Sequence, residues 1–305
     1  MAGLTCIVKK ELSDAASNKT FLLSCAVLLL SCAFTGIASG NTYYYYHLTY
    51  LPIEPPTTNI ELVIMRELVP QIRLIGALVA VAYGFNAINK EKTEGSLKIL
   101  LSYPVYRDQV ILGKLLASLI LITLVSFVSL TIALALYLFS TNLIFSPDLL
   151  ARYFVFMCLS TLLLSGYLGL SMLLSIIFEN QKMSLIEAFT LIGVFNSTVF
   201  FPYGHLIANA IYGPDPGYLF YSPRPHVQAF IDFIQNLSPA EGLQRVVDRL
   251  STYRFFIHVG GEFVWIESEL MRVLLDRVSA LVVLVIIPVL SYSASYAFFT
   301  RRELT

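Results

Sequence analysis

The chain has 305 residues, of which 57% are hydrophobic and only 13% are charged, and its formal net charge is zero. Soluble domains carry about 25% charged residues, and nucleic-acid-binding domains carry a basic surplus. This composition, with a mean hydropathy of +0.73, excludes both classes and indicates a protein that lies mostly in a lipid bilayer.

The apolar segments predict an all-α polytopic membrane protein. A helix needs about 20 apolar residues to cross the hydrocarbon core of a bilayer. Six segments approach or exceed this length, namely Phe21–Ser39, Gln71–Asn89, Ile111–Phe139, Ala151–Phe178, Met183–Phe200 and Val278–Phe298. The first is longer than a typical signal core and starts late, which favours an anchor, with cleavage after Ser39 as the alternative.

Basic residues in the short loops predict the orientation, because cytoplasmic loops carry the excess of lysine and arginine. With the N-terminus inside, every lysine falls on the cytoplasmic side, namely Lys9, Lys10, Lys19, Lys90, Lys92, Lys98, Lys114 and Lys182. The short outer loops hold only Arg66, Arg73 and Arg152. We therefore expect both termini in the cytoplasm, and we expect Arg73 to snorkel toward water.

The longest outer segment, residues 201–277, contains signals for folded structure. Ser238 is a candidate helix N-cap, with Pro239 at the first helical position and Glu241 three residues after the cap. Two β-prone runs flank Gly260-Gly261 and predict a hairpin. We expect a small extracellular cap, the alternative being a poorly ordered connector. Asn236-Leu237-Ser238 also matches a glycosylation acceptor.

A charged connector, "INKEKTEGSLKILLSYPVYRDQVILGK", separates the second and third apolar segments. Leu97, Leu100 and Leu101 form an apolar stripe at helical spacing. Pro104 then forces a break before the next apolar segment. The pattern predicts a short amphipathic helix on the membrane surface, and its simplest role is to tether two spans.

The residue order of the connector resembles a family pattern. Gly95-Ser96-Leu97, Leu100-Leu101, Pro104-Val105, Arg107 and Gly113-Lys114 follow E-x-G-T-L-x-x-L-L-x-x-P-V-x-R-x-x-x-x-x-G-K, found in permease subunits of ABC transporters of the type-2 exporter class. Ser96 replaces the commoner threonine, and the acidic residue is displaced by one position, to Glu94. "IVKKELSDAASNKTF" and "LSPAEGLQRVV" are also similar to family segments.

The resemblance implies a permease subunit of an ATP-driven exporter in the plasma membrane. In such permeases the first cytoplasmic loop is a coupling helix, here at about 88–108, that docks on an ATP-binding subunit. The implied contact residues are Lys90, Lys92, Glu94, Gly95 and Arg107. A connecting helix within residues 1–20 would lie alongside and carry Lys9, Lys10, Glu11 and Asp14.

The same resemblance implies the remaining organisation and the partners. Residues 21–200 would hold the first five transmembrane helices, and residues 278–305 the sixth and a cytoplasmic tail. The complex would contain two ATP-binding subunits and a second permease chain, identical or related. The chain has no G-x-x-x-x-G-K-[ST] phosphate loop, so ATP and Mg are expected on the partner, with no cofactor on this chain.

Polar residues in or near the spans are candidates for the transport pathway, because burying them in lipid is costly. They are Asn86, Asn89, Glu187, Asn196, Ser197 and Thr198. For Glu187, local pairing with Lys182 is the alternative to a substrate role. The repeat of Thr161, Ser165 and Gly169 at helical spacing predicts helix packing.

The sequence contains no pattern for catalysis or for metal binding. The four histidines fall at no ligand spacing, and the four cysteines form neither a disulfide framework nor a CxxC pair. Two alternatives to transport remain. The spans could transmit force to an extracellular lipid or envelope partner, or the protein could be a structural or assembly component without nucleotide coupling.

Overall fold

The computed structural model describes residues 2–49, 62–85, 107–144, 146–178, 181–196, 210–211, 230, 237–251, 254–259, 262–267 and 269–301. The longer helices and the strands are α1 Ala2–Ser17, α2 Lys19–Thr49, α3 Val63–Gln71, α4 Ala77–Gly84, α5 Arg107–Thr141, α6 Pro147–Ile177, α7 Gln181–Phe195, α8 Pro239–Leu250, β1 Arg254–Val259, β2 Glu262–Glu267, α9 Leu270–Leu275 and α10 Val278–Arg301. A π-helical turn, Ile72–Gly76, joins α3 to α4.

Four helices in the described part of the chain are long and apolar enough to cross a membrane. They are α2, α5, α6 and α10, and they contain the first, third, fourth and sixth predicted spans, with α6 ending one residue before Phe178. The second predicted span falls on α3, the π-turn and α4, and the fifth on α7; residues 86–106 and 197–200 lie outside the described residues. The protein is a multi-pass membrane protein.

Helix α6 lies at the centre of the bundle. It contacts α4, α5, α7, α8 and α10. Its most apolar window is 67% buried, against 33% or less for the other three long helices. The apolar faces of α2, α5 and α10 that remain exposed, such as Leu30 and Phe34 on α2, have the composition expected of surfaces in contact with lipid or with another protein.

Small residues permit the closest helix contacts. A Cβ on Gly36 or Gly40 of α2 would overlap Ala133 or Ser140 of α5, and a Cβ on Gly169 of α6 would overlap Ser291 of α10. This close approach is typical of membrane helices, whose association depends on tight packing rather than on hydrophobic burial.

The predicted packing role of the small-residue repeat in α6 is confirmed. The hydroxyl groups of Thr161 and Ser126, on α5, lie 2.7 Å apart. The Ser295 hydroxyl, on α10, donates to the Gly169 carbonyl at 3.5 Å. The repeat therefore joins α6 to two neighbours.

The long helices define two ends of the bundle. Helix α1 packs against the start of α5 and contacts α2, and we call this the α1 end. Helix α8 packs against α3, α6 and α10, with the start of α6 bonded to the last residue of α8, and we call this the α8 end. The direction of each long helix places α1 and α8 at opposite ends.

The predicted helix at Ser238 is confirmed. Helix α8 begins at Pro239, and the Glu241 amide donates to the Ser238 hydroxyl at 3.3 Å. Its apolar face is buried and consists of Pro239, Ala240, Gly242, Leu243, Val246, Val247 and Leu250. The periodicity of this helix therefore reflects packing against the bundle.

The predicted hairpin is also confirmed. Strands β1 and β2 pair in antiparallel register, from Arg254 opposite Glu267 to Val259 opposite Glu262. Only the two glycines at 260 and 261 separate the strands, in agreement with the two-residue loops that favour tight hairpins. The other regular secondary structure of the described residues is helical.

Replacing Gly36 by leucine should destabilise the bundle strongly, because the new side chain would meet the Ala133 backbone rather than a flexible side chain. Overpacking of this kind costs about 1–3 kcal/mol or more. Thermal unfolding in detergent, followed by intrinsic fluorescence, measures the loss. The matched control is Gly193→Leu on α7, where a Cβ meets no atom within 4 Å. Equal midpoints for the two variants would contradict the packing account.

Candidate functional site

At the α1 end, the amphipathic helix α1 lies against the start of α5. Ile7 and Ala15 are buried, and they belong to the face that meets the bundle. A Cβ on Gly113 would lie 2.6 Å from the Ile7 Cγ2 atom, and the Leu4 side chain is nearby. Only glycine therefore lets the two helices approach this closely.

An ion pair fixes the same contact. The Lys114 ammonium Nζ lies 2.8 Å from the Glu11 carboxylate Oε1, with Lys114 3% and Glu11 12% exposed. A lysine is almost never buried this far without a partner, because its charge has to be neutralised in the low dielectric. We call Ile7, Glu11, Gly113 and Lys114 the α1 clamp.

The opposite face of α1 presents charge to the surroundings. Lys9, Lys10 and Asp14 are exposed. Lys10 lies 3.7 Å from Glu11 and 3.8 Å from Asp14, so the charged face is linked to the clamp by weak, exposed ion pairs. Of the four residues predicted for this helix, three therefore face outward and Glu11 faces the bundle.

The last residues of the connector, Gly113 and Lys114, belong to the clamp. Arg107 is the first residue of α5, and Lys114 follows two turns later on the same helix. The other predicted contact residues of the connector, Lys90, Lys92, Glu94 and Gly95, lie outside the described residues. The structure thus shows where the connector ends: at a helix that is fastened to α1.

A second polar cluster lies at the α8 end. Arg73 Nη2 is 3.0 Å from Glu241 Oε1 on α8, and Arg73 Nε donates to Asn196 Oδ1, next to the end of α7, at 3.0 Å. The Asn196 amide donates back to the Arg73 carbonyl at 3.1 Å. We call Arg73, Asn196 and Glu241 the α8-end junction.

The backbone around Arg73 is unusual. Pro70 lies inside α3, where its ring removes one amide donor and crowds the preceding turn. The π-helical turn that follows contains Arg73. π-turns insert a residue into a helix, change the direction of the side chains that follow, and are frequent at functional sites.

Two further arginines bind elements at the α8 end. Arg66 Nε lies 3.2 Å from the Asp248 carboxylate, and this pair is about half-exposed. Arg152 is fully buried, binds Asp148 at 2.7 Å, and donates to the Leu250 carbonyl at 3.2 Å. Arg66, Arg73 and Arg152 therefore each contact α8.

The snorkelling expected of Arg73 is wrong, because its side chain is only 13% exposed and is bound on two sides. A sequence signal for this pairing exists. Arg66 and Arg73 are seven residues apart, as are Glu241 and Asp248, and a spacing of seven places both members on one helix face. Two helices that run in opposite directions and carry opposite charges at the same spacing are predicted to form two ion pairs.

Two of the pathway candidates, Asn196 and Glu187, fall within the described residues. Asn196 belongs to the α8-end junction, whereas Glu187 lies on an exposed face of α7, near Ile186 and Thr190. The other candidates, Asn86, Asn89, Ser197 and Thr198, lie outside the described residues. Their role stays a prediction.

Comparison with known proteins gives one finding about the whole chain. The family model described as ABC-2 family transporter protein matches residues 5–304. A search of curated proteins finds no match. The matched range includes both the α1 clamp and the α8-end junction.

Replacing Lys114 by methionine should destabilise the protein by about 3 kcal/mol, because it leaves the Glu11 carboxylate largely buried without its closest partner. Thermal unfolding in detergent measures the loss. Lys10→Met is the matched control, since its exposed ion pairs are worth less than about 1 kcal/mol. The double variant Glu11→Gln/Lys114→Met should recover most of the lost stability. No difference between Lys114→Met and Lys10→Met would refute the clamp.

Proposed function

The chain belongs to the ABC-2 family of transporter membrane proteins, and on that premise we propose that it is the permease subunit of an ATP-driven exporter. Permeases of this family lack an ATPase domain, so the chain is not itself an enzyme. The proposal adds the direction of transport and the route by which ATP hydrolysis drives it. The observation that carries it is the α1 clamp, which fastens an exposed, charged helix to the span that follows the connector.

We assign six transmembrane helices to the chain. Four are α2, α5, α6 and α10. The second begins within the helical segment Val63–Gly84, and the fifth is α7. Both pack against α6 in the same bundle. With an even number of spans, both termini lie on one side of the membrane, and the distribution of lysine makes that side the cytoplasm of a cell whose plasma membrane holds the protein.

The connector at about 88–108 is then the coupling helix. Lys90, Lys92, Glu94, Gly95 and Arg107 contact the ATP-binding subunit in this proposal, and Lys9, Lys10 and Asp14 lie beside that contact on the exposed face of α1. Movement of the connector reaches α5 through Arg107. Because Lys114 holds Glu11, α1 and α5 move as one body.

The active complex contains two ATP-binding subunits and two permease chains, the second identical or related to this one. ATP and Mg belong to the ATP-binding subunits. The pathway lies where two permease chains meet, along the first, second and fifth spans, as in the exporters that the chain resembles. Glu187, exposed on α7, and Asn86, Asn89, Asn196, Ser197 and Thr198 are its candidate wall residues.

One observation favours a second candidate function, in which the spans transmit force to a lipid or envelope partner outside the cell without transport. Helix α8 is joined to α3, to the π-turn and to α6 by side chains of three arginines. Movement of these helices would be passed to the outer segment that carries the hairpin. The same contacts are compatible with transport, which remains the first proposal.

Reversing two charges of the connector, with Glu94→Lys and Arg107→Glu, should abolish stimulation of the ATP-binding subunit, because complementary charges guide and hold the docked helix. The measurement is ATP hydrolysis by the purified complex, with co-purification as a second readout. The variant should still insert and remain monodisperse. Arg249→Glu, exposed on α8, is the control that should keep full stimulation. Normal stimulation by the connector variant would contradict the coupling role.

Proteoliposomes that contain the complex separate the two functions. ATP-dependent movement of fluorescent phospholipids or amphiphiles across the bilayer is the result expected for an exporter. ATP hydrolysis without movement of any probe, together with an ATP-dependent change in maleimide labelling of Arg249→Cys from outside, would favour force transmission instead.

A further inference from the structure

We propose that Arg73 is a positioning residue of the transport cycle, which latches the second and fifth spans to the outer helix α8 until the pathway opens to the outside. This inference rests on the proposed function and goes beyond it, because it names the contact that must break at the α8 end. Arg73 acts through Asn196 and Glu241, and its role needs no contact with the substrate.

The first support is that one side chain holds three elements. The Nε and Nη2 atoms of Arg73 bind different partners, Asn196 beside α7 and Glu241 on α8, while its backbone belongs to the π-turn of the second span. The planar guanidinium suits such a divided role, since its donors point in fixed directions. Loss of this one group would remove both guanidinium contacts, those that join the π-turn to Asn196 and to Glu241.

The second support is that α8 forms a packed block with α6 and α10, and α3 also touches this block. Its apolar face packs on α10 and α6, and the fully buried Arg152 of α6 donates to the Leu250 carbonyl at its end. Gly242 of α8 also lies against Ala280 of α10. Packing of this kind moves as a unit, because interiors at native density do not deform continuously.

Arg73 and Asn196 therefore join the candidate pathway helices to that block. An ion pair at this position can separate and reform more easily than the apolar contacts of α8, because both charged groups lie near the end of the bundle, where water can hydrate them after separation. The Arg73 and Glu241 side chains are 13% and 14% exposed. Water therefore screens the closed ion pair only weakly, and the pair lies close enough to the surface to open.

The third support is the backbone of the second span. Pro70 and the π-turn place a weakened segment of helix at Arg73 itself. Helix bends concentrate at proline residues and at π-turns. The second span can therefore bend at the residue that carries the latch, while α4 below it keeps its contacts with α6.

A matched pair on the same two helices provides the control. Arg66 and Asp248 lie seven residues from Arg73 and Glu241, but their side chains are 48% and 43% exposed. Exposed pairs contribute little, because water screens them and their side chains lose rotamer freedom. Neutralising Arg66 should therefore leave the position of α8 unchanged.

Spin labels at Glu67→Cys on α3 and Arg249→Cys on α8, both exposed positions, measure the distance across the latch. In the purified complex, the unmodified latch should give a short distance without nucleotide and a longer distance when ATP is trapped with vanadate. Without nucleotide, Arg73→Gln and the isosteric Glu241→Gln should raise the fraction of molecules at the longer distance at least about fivefold over that of the unmodified protein. A factor of this size is typical of coupling between sites. Arg66→Gln should behave as the unmodified latch does.

The outcomes separate the latch from the proposed function. Identical distances in Arg73→Gln, Glu241→Gln and Arg66→Gln in both nucleotide states would overturn the latch, as would an unmodified complex whose distance does not respond to ATP while ATP is hydrolysed. If no ATP-binding subunit co-purifies, the proposed function fails; the comparison without nucleotide still tests whether Arg73 holds α8. Glu241→Gln keeps the experiment decisive if Arg73→Gln does not fold.

Discussion

The constraint on which the bundle depends is that a buried charge needs an opposite charge close by, and among the described residues Lys114, Arg73 and Arg152 have such partners within 3.0 Å. A buried ammonium or guanidinium group without a partner costs several kcal/mol in a low dielectric. Lys114, Arg73 and Arg152 each satisfy the constraint with a carboxylate of another segment or of the preceding turn. In a chain with so few charges, Lys114 joins α5 to α1, Arg73 joins the π-turn to α8, and Arg152 joins α6 to α8 through the Leu250 carbonyl.

The two ends are built from different contacts. At the α1 end, a glycine and an ion pair hold an amphipathic helix against the start of α5, so the outward charge of that helix has a rigid support. At the α8 end, α8 buries an apolar face on α6 and α10, while the π-turn that follows α3 reaches it through Arg73. In the proposed function, work applied at the α1 end would pass through these packed helices to the contact of Arg73 with α8.

Much of this fold was predictable from the sequence, because local rules decide it. The apolar runs predicted the four long helices, the Ser238-Pro239 start predicted α8, and two adjacent glycines predicted the hairpin. Contacts between distant residues were not predicted, because nothing in the connector pattern says that Lys114 binds Glu11. The interior pairing of Arg73 was missed since a lone arginine near a helix end normally reaches water, although the seven-residue spacing on both helices was visible.

The central claim is that α1, held by Lys114, faces the ATP-binding subunit, and photo-crosslinking tests it most directly. A photoreactive amino acid at Lys9, exposed on α1, should yield an adduct with the mass of the permease plus one ATP-binding subunit in intact cells. The same amino acid at Arg249, at the α8 end, should yield none. An adduct from Arg249 and none from Lys9 would contradict the account, because the charged helix would then face away from the source of mechanical work.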